Sequence, residues 1–212
     1  MENLAFKQKL AEYLLQIKAI QLNTQNPFTW ASGWKSPVYC DNRKLLSYPD
    51  VREFVRDGLV MLVNEYFPEA DVIAGVATAG IPHAALIAND LHLPMIYVRS
   101  KPKEHGMGQM IEGDLKHGSR VVVVEDTIST GKSSLKAVHD LREAGAEVIG
   151  MVAIYKYGFP IAKKRFDDEG VVLKTLTNYD ILIQVAEQMG FIAKEEMEVL
   201  NAWRQDPENW NK

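Results

Sequence analysis

Apolar and polar positions along the chain follow two periods. Leu4, Leu10, Leu14, Leu15 and Ile17 share one face of a 3.6-residue repeat and predict a helix over 4–20. Val51, Phe54, Val55, Leu59, Leu62 and Val63 do the same over 49–67. Short apolar runs at 71–77, 94–98, 121–124, 147–155 and 171–176 predict strands. Val121, Val122, Val123 and Val124 leave no polar position for a solvated face, the mark of a central parallel strand covered on both sides. Further helical patterns fall at 83–91, 133–144, 178–189 and 194–204, while 156–166 reads as irregular. Strands alternating with helices predict an α/β fold around a mostly parallel sheet.

The chemistry concentrates behind the four valines. Glu125 and Asp126 stand where that strand is expected to end, and Thr127, Ile128, Ser129, Thr130, Gly131, Lys132 and Ser133 lead into the next helix. Loop N–H groups, hydroxyls and a helix N-terminus converge there on an anion. The place is the carboxyl edge of a parallel sheet, where such folds bind ligands. As strand neighbours, Glu125 and Asp126 point to opposite faces, and carboxylates at an apolar rim need donors or a cation. Ribose hydroxyls or magnesium supply them. For the acidic pair alone a solvated turn is the plainer account; the hydroxyls and glycine that follow favour a ribose 5-phosphate. Gly131, Lys132 and Ser133 also end like a nucleotide-binding P-loop, but that loop requires glycine five positions before Gly131, where Asp126 stands.

Three other segments carry candidate chemistry. Thr78, Ala79 and Gly80 end the second strand with small residues that let a backbone approach a ligand closely. Arg99, Lys101, Lys103 and His105 occupy alternate positions, so an extended segment projects all four to one side, with Gly106 and Gly108 as hinges. That is either a solvated basic loop or a lid that closes on a polyphosphate. Residues 27–41 are aromatic and β-prone around a Ser32–Gly33 turn; Trp30, Trp34 and Tyr39 are either a hairpin's packing surface or a hood over a planar base. His83, His92, Cys40, Trp203 and Trp210 read as packing residues.

Composition narrows the class. The chain has 212 residues, 47% hydrophobic and 25% charged, as expected of one globular α/β domain over 1–212. A net charge of −4 argues against a nucleic-acid partner. No apolar run reaches the roughly 18–20 residues needed to cross a bilayer, and Glu2, Lys7 and Lys9 stand where a signal peptide would be apolar. The single Cys40 excludes an internal disulfide, and a cytoplasmic location is expected.

The stretch 121–133 resembles the phosphoribosyl pyrophosphate (PRPP) signature of type I phosphoribosyltransferases: apolar strand, acidic pair, hydroxyl-glycine loop. Phe28, Ser32, Gly33, Ser36, Pro37, Tyr39, Asp41 and Arg43 match the N-terminal motif of the orotate phosphoribosyltransferases, and Arg99, Lys103, His105 and Gly106 match their catalytic loop. The resemblance implies a type I phosphoribosyltransferase fold, a central mostly parallel sheet flanked by helices, with a small hood built from about residues 20–45. It implies transfer of the 5-phosphoribosyl group from PRPP to orotate with Mg2+, in de novo pyrimidine biosynthesis. Arg99, Lys103 and His105 and all of residues 125–133 would bind PRPP, Ser129 would also touch orotate, and Lys103, His105 and Asp126 would be catalytic. Mg2+ would be held through PRPP, with Glu125 and Asp126 as further ligands. The resemblance also implies a homodimer whose residues 99–108 reach the neighbouring site. Three positions depart from the pattern: Ala31 and Ala79 stand where many members carry lysines, and Lys156 follows the 147–155 strand where some carry an orotate-binding arginine. Lys35 and Arg43 are further cationic candidates. Two rival readings remain: transfer to a purine or another pyrimidine, and a regulator that binds PRPP without catalysis.

Overall fold

The computed structural model describes residues 4–30, 32–101 and 110–210. Helix α1 (Leu4–Gln16) is followed by four short strands, β1 (Ile20–Leu22), β2 (Phe28–Thr29), β3 (Lys35–Ser36) and β4 (Val38–Cys40), and a 3-10 turn at Asn42–Ser47. Then come α2 (Pro49–Tyr66), β5 (Val72–Val76), α3 (Gly80–Leu91), β6 (Met95–Val98) and β7 (Ile111–Glu112). The chain continues through β8 (Arg120–Ile128), α4 (Lys132–Glu143), β9 (Glu147–Lys156), α5 (Pro160–Asp168), β10 (Leu173–Asn178), α6 (Tyr179–Gln188) and α7 (Glu196–Gln205). Among the described residues, six strands form the main sheet in the order β10-β9-β8-β5-β6-β7, parallel except for the last pair. The expected mostly parallel sheet flanked by helices is therefore present. Every residue of β5 is buried, as are Val121, Val122, Val123 and Val124 of β8, because helices cover both faces.

Four expectations need correction. Strand β8 does not stop at the acidic pair but runs to Ile128, because β9 is long enough to pair with it through Thr127↔Tyr155 and Ile128↔Lys156. The segment read as irregular contains α5, which Pro160 opens at its first turn and which buries Ala162 and Phe166. The helix expected over 4–20 ends at Gln16, and β1 follows it to pair with β4. The last strand, expected over 171–176, lies two residues later, set by its pairing with β9 from Leu173↔Met151 to Asn178↔Lys156.

The N-terminal segment forms two small antiparallel pairs, β1 with β4 and β2 with β3, over the carboxyl edge of the sheet. It is tied down from two sides. Asn42 Nδ2 donates to Asp126 O at 3.2 Å and to Thr127 Oγ1 at 2.9 Å, which fixes it to β8. Trp203 of α7 is fully buried and its Nε1 donates to Lys35 O at 3.1 Å. Among the described residues no helix is long and apolar enough to cross a membrane.

Candidate active site

The turn between β8 and α4 is built by one glycine. Gly131 has φ +75°, a left-handed conformation open to glycine, and a Cβ there would meet the Phe166 ring at 2.8 Å. It caps α4, so Lys132 and Ser133 are exposed on the first helical turn and Ser134 is buried beneath them. Ser129 and Thr130 form the half-buried crest of the turn. The side chain of Ile128 lies in the core, so that residue offers a ligand only its backbone. Thr127 Oγ1 is engaged inside the protein: it accepts from Asn42, lies 3.5 Å from Cys40 Sγ and donates to Asp126 Oδ2 at 3.1 Å.

The two members of the acidic pair differ in burial. Glu125 is buried and Asp126 half-buried. Glu125 Oε1 accepts from the Asp126 N–H at 3.1 Å and its Oε2 accepts from Ser134 Oγ at 3.1 Å. Burial, and then the neighbouring charge of Asp126, push the Glu125 carboxyl well above the usual carboxylate range. The pair is therefore unequal: Glu125 is buried and its carboxyl is shifted toward the neutral form, while Asp126 is half-buried.

A second close approach lies alongside. A Cβ on Gly80 would meet Val124 O at 2.4 Å, so the first turn of α3 rests directly on β8. One turn on, His83 is 1% exposed, and neither ring nitrogen has a hydrogen-bond partner. Burial pushes its imidazole down to about 4, against the pull of Asp126. Burial likewise pushes the Cys40 thiol up to about 12, which removes it as a nucleophile at neutral pH.

The crest faces a cavity of about 660 Å3 whose walls include Ser129, Thr130 and Lys132 of the turn, Trp30, Ser32 and Trp34 of the N-terminal segment, and Phe159 and Arg165 from α5 and the residue before it. The aromatic segment packs as a hairpin surface and also lines this cavity. Trp30 packs against Tyr157, Phe159 and Trp203 at centroid distances of 5.1, 6.3 and 5.8 Å, and its Nε1 donates to Val38 O; it also walls the cavity. The cationic candidates do not all gather there. Arg43 is paired with Asp41 at 2.6 Å, Lys35 Nζ donates to Thr29 at 2.8 Å, and Lys156 lines two other cavities. Arg165 lines this one, and its Nη1 donates to Thr130 O at 2.8 Å.

Arg99 directly follows β6; its backbone N–H bonds Met110 O at 2.8 Å and its side chain pairs with Glu112 at 3.2 Å, so the chain leaves and re-enters the sheet edge at adjacent points. Lys103, His105, Gly106 and Gly108 lie outside the described residues, as does Ala31. Sequence reasoning missed Asn42, Ser134 and Arg165. Asn42 and Ser134 carry no signal until the folded chain brings them against β8, and Arg165 was hidden by the misread segment that holds it.

A profile of the phosphoribosyl transferase domain matches residues 47–188, spanning the sheet from α2 to α6. An orotate phosphoribosyltransferase of Bacteroides fragilis is 58% identical over 210 residues, 99% of this chain and 98% of its own. This chain belongs to the orotate phosphoribosyltransferase family. Solved structures agree. The family member from Aeropyrum pernix superposes with a TM-score of 0.73 at 32% identity, covering 87% of this chain and 99% of that one. The Mycobacterium tuberculosis orotate phosphoribosyltransferase, solved in complex with PRPP, does so at 0.64 and 25% identity over 84% and 98%. The acidic pair, the Gly131 turn and the aromatic cavity thus occur together in a phosphoribosyltransferase framework.

Proposed function

We propose that this protein transfers the 5-phosphoribosyl group of PRPP to N1 of orotate, giving orotidine 5′-monophosphate and pyrophosphate for pyrimidine synthesis. The observation that carries the reading is the shared cavity: the hydroxyl-glycine turn and the aromatic segment face one space, and the acidic pair directly precedes that turn on β8. Backbone N–H groups of residues 129–133 and the hydroxyls of Ser129 and Thr130 hold the 5′-phosphate, aided by the N-terminus of α4. Thr127 acts from behind, orienting Asp126 through its hydroxyl. Asp126 accepts from the ribose hydroxyls, and Ser129 also reaches the base.

Magnesium fits the donor set at Asp126, whose carboxylate is half-buried directly before the turn; Glu125 is a poor ligand, since it is buried, both its oxygens accept hydrogen bonds and burial raises its carboxyl. Among the described residues no cluster of three or more ligating side chains exists, so the ion would rest on one carboxylate, water and the phosphates of PRPP. Bound there, it supplies charge neutralisation for the departing diphosphate.

In the reaction the C1′–O bond to pyrophosphate breaks and the N1–C1′ bond forms, with N1 losing its proton. Arg99, Lys103 and His105 stabilise the leaving diphosphate from a loop of residues 99–108 that belongs to the neighbouring subunit of a homodimer. The backbone of the Thr78–Gly80 turn holds the same group, since Ala79 offers no cation. Residues 20–45 form the hood that excludes water from C1′. The single neutral thiol suits a cytoplasmic enzyme. A parallel assay of the purified protein with PRPP, magnesium and orotate, uracil or adenine tests the reading. Product forms with orotate; turnover of adenine with none of orotate would overturn it.

A further inference from the structure

Orotate differs from uracil by one carboxylate on C6, so a site that prefers it needs a cation beside the ring. This inference rests on the reading above. Lysine is absent at position 31, and Lys156 faces other cavities. Two cations line the cavity where Trp30 and Ser129 meet. Lys132 is exposed at the outer end of the turn, whereas Arg165 is half-buried on α5. Thr130 O holds Nη1 of Arg165 at 2.8 Å, and among the described residues this is its one hydrogen bond, so most of its fork remains available. Asp206 and Glu208 line the same cavity but are exposed, and Asp206 is bonded through both oxygens by Asn209 at 3.0 Å; Arg165 is the half-buried charge of the four. Trp30, Trp34 and Phe159 supply apolar faces for a flat ring, with centroids 6.3 Å apart for the tryptophans and 6.5 Å for Trp34 and Phe159.

We propose that Arg165 recognises the carboxylate of the acceptor base, held in place for that task by the carbonyl of Thr130. One guanidinium N–H stays on the turn that grips the phosphate while the rest of the fork takes the carboxylate, so a single side chain couples base choice to the phosphate site. Steady-state kinetics of Arg165→Gln and Arg165→Lys test this, with thermal melts confirming that both variants fold. For Arg165→Gln the KM for orotate rises roughly 10- to 100-fold, the size expected for a lost charged hydrogen bond, while the KM for PRPP stays within about twofold. Arg165→Lys restores part of the orotate affinity. A PRPP KM that rises as far as the orotate KM would reduce Arg165 to a brace for the turn and overturn the proposal, as would unchanged orotate kinetics. A wild-type enzyme inactive with orotate would fail the functional reading itself, a result visible before any variant is compared.

Discussion

Glu125 is the residue whose charge state the fold decides. Burial next to Asp126 raises its carboxyl well above the usual value in the folded protein, whereas the same carboxyl is ionised above about 4.5 in an unfolded chain. Folding therefore takes up a proton, and stability present below the unfolded value is lost as pH rises toward the raised folded value. Glu125→Gln removes that dependence, because an amide can accept from the Asp126 N–H and donate to Ser134 Oγ. Thermal melts should show the variant matching wild type near pH 4 and melting higher near pH 8. His83 works in the opposite sense. Its folded value, about 4, lies below the ordinary 6.5, so its contribution is full above 6.5 and is lost as pH falls toward 4. Between those limits the loss is about 3 kcal/mol for a shift of this size. In denaturant titrations at pH 7.5 and 4.5, His83→Gln should narrow the stability gap of wild type; an unchanged gap would show that the imidazole is not buried neutral.

Among the elements, α7 has the largest indirect effect on the site. Trp203 touches no phosphate or ribose, yet it packs edge-on against Trp30, Tyr157 and Phe159 and bonds the backbone of β3. The sequence reading as a packing residue is correct, and the packing it serves is the hood. Trp203→Ala opens a cavity in this aromatic cluster and should cost about 3–5 kcal/mol. Because the hood loses its support before the sheet does, the orotate KM should rise more than the PRPP KM in the same preparation. The element that sequence reading missed, α5, shows why such clusters are hard to foresee. It begins at Pro160, after Gly158 and Phe159, a local signature of a loop, and its helix forms because Ala162 and Phe166 find a buried surface.

At the scale of the molecule, two subunits are needed if residues 99–108 serve the neighbouring site. Lys103→Ala in the loop and Asp126→Asn at the strand each abolish turnover as homodimers. Mixed and re-equilibrated, they should regain roughly a quarter of the wild-type rate, since half of the dimers are mixed and each of those has one intact site of two. No recovery would place loop and strand in one subunit. Much of this whole was legible in advance. Four valines, an acidic pair and a hydroxyl-glycine turn specify a buried parallel strand and an anion site by local rules alone, because strand period and glycine conformation need no distant partner. The division of labour within that motif was not legible. Alternation put Glu125 and Asp126 on opposite faces, but it did not show that Glu125 is enclosed by the core, where burial raises its carboxyl and Ser134, nine residues on, bonds it, or that Asn42, from the other end of the chain, engages Thr127. By itself the sequence determined the sheet, the phosphate turn and the class of ligand, all properties of short segments. Only the tertiary structure decided which carboxylate is buried and which cation, Arg165 in place of Lys156, stands at the cavity, because burial and proximity are set by residues remote in the chain.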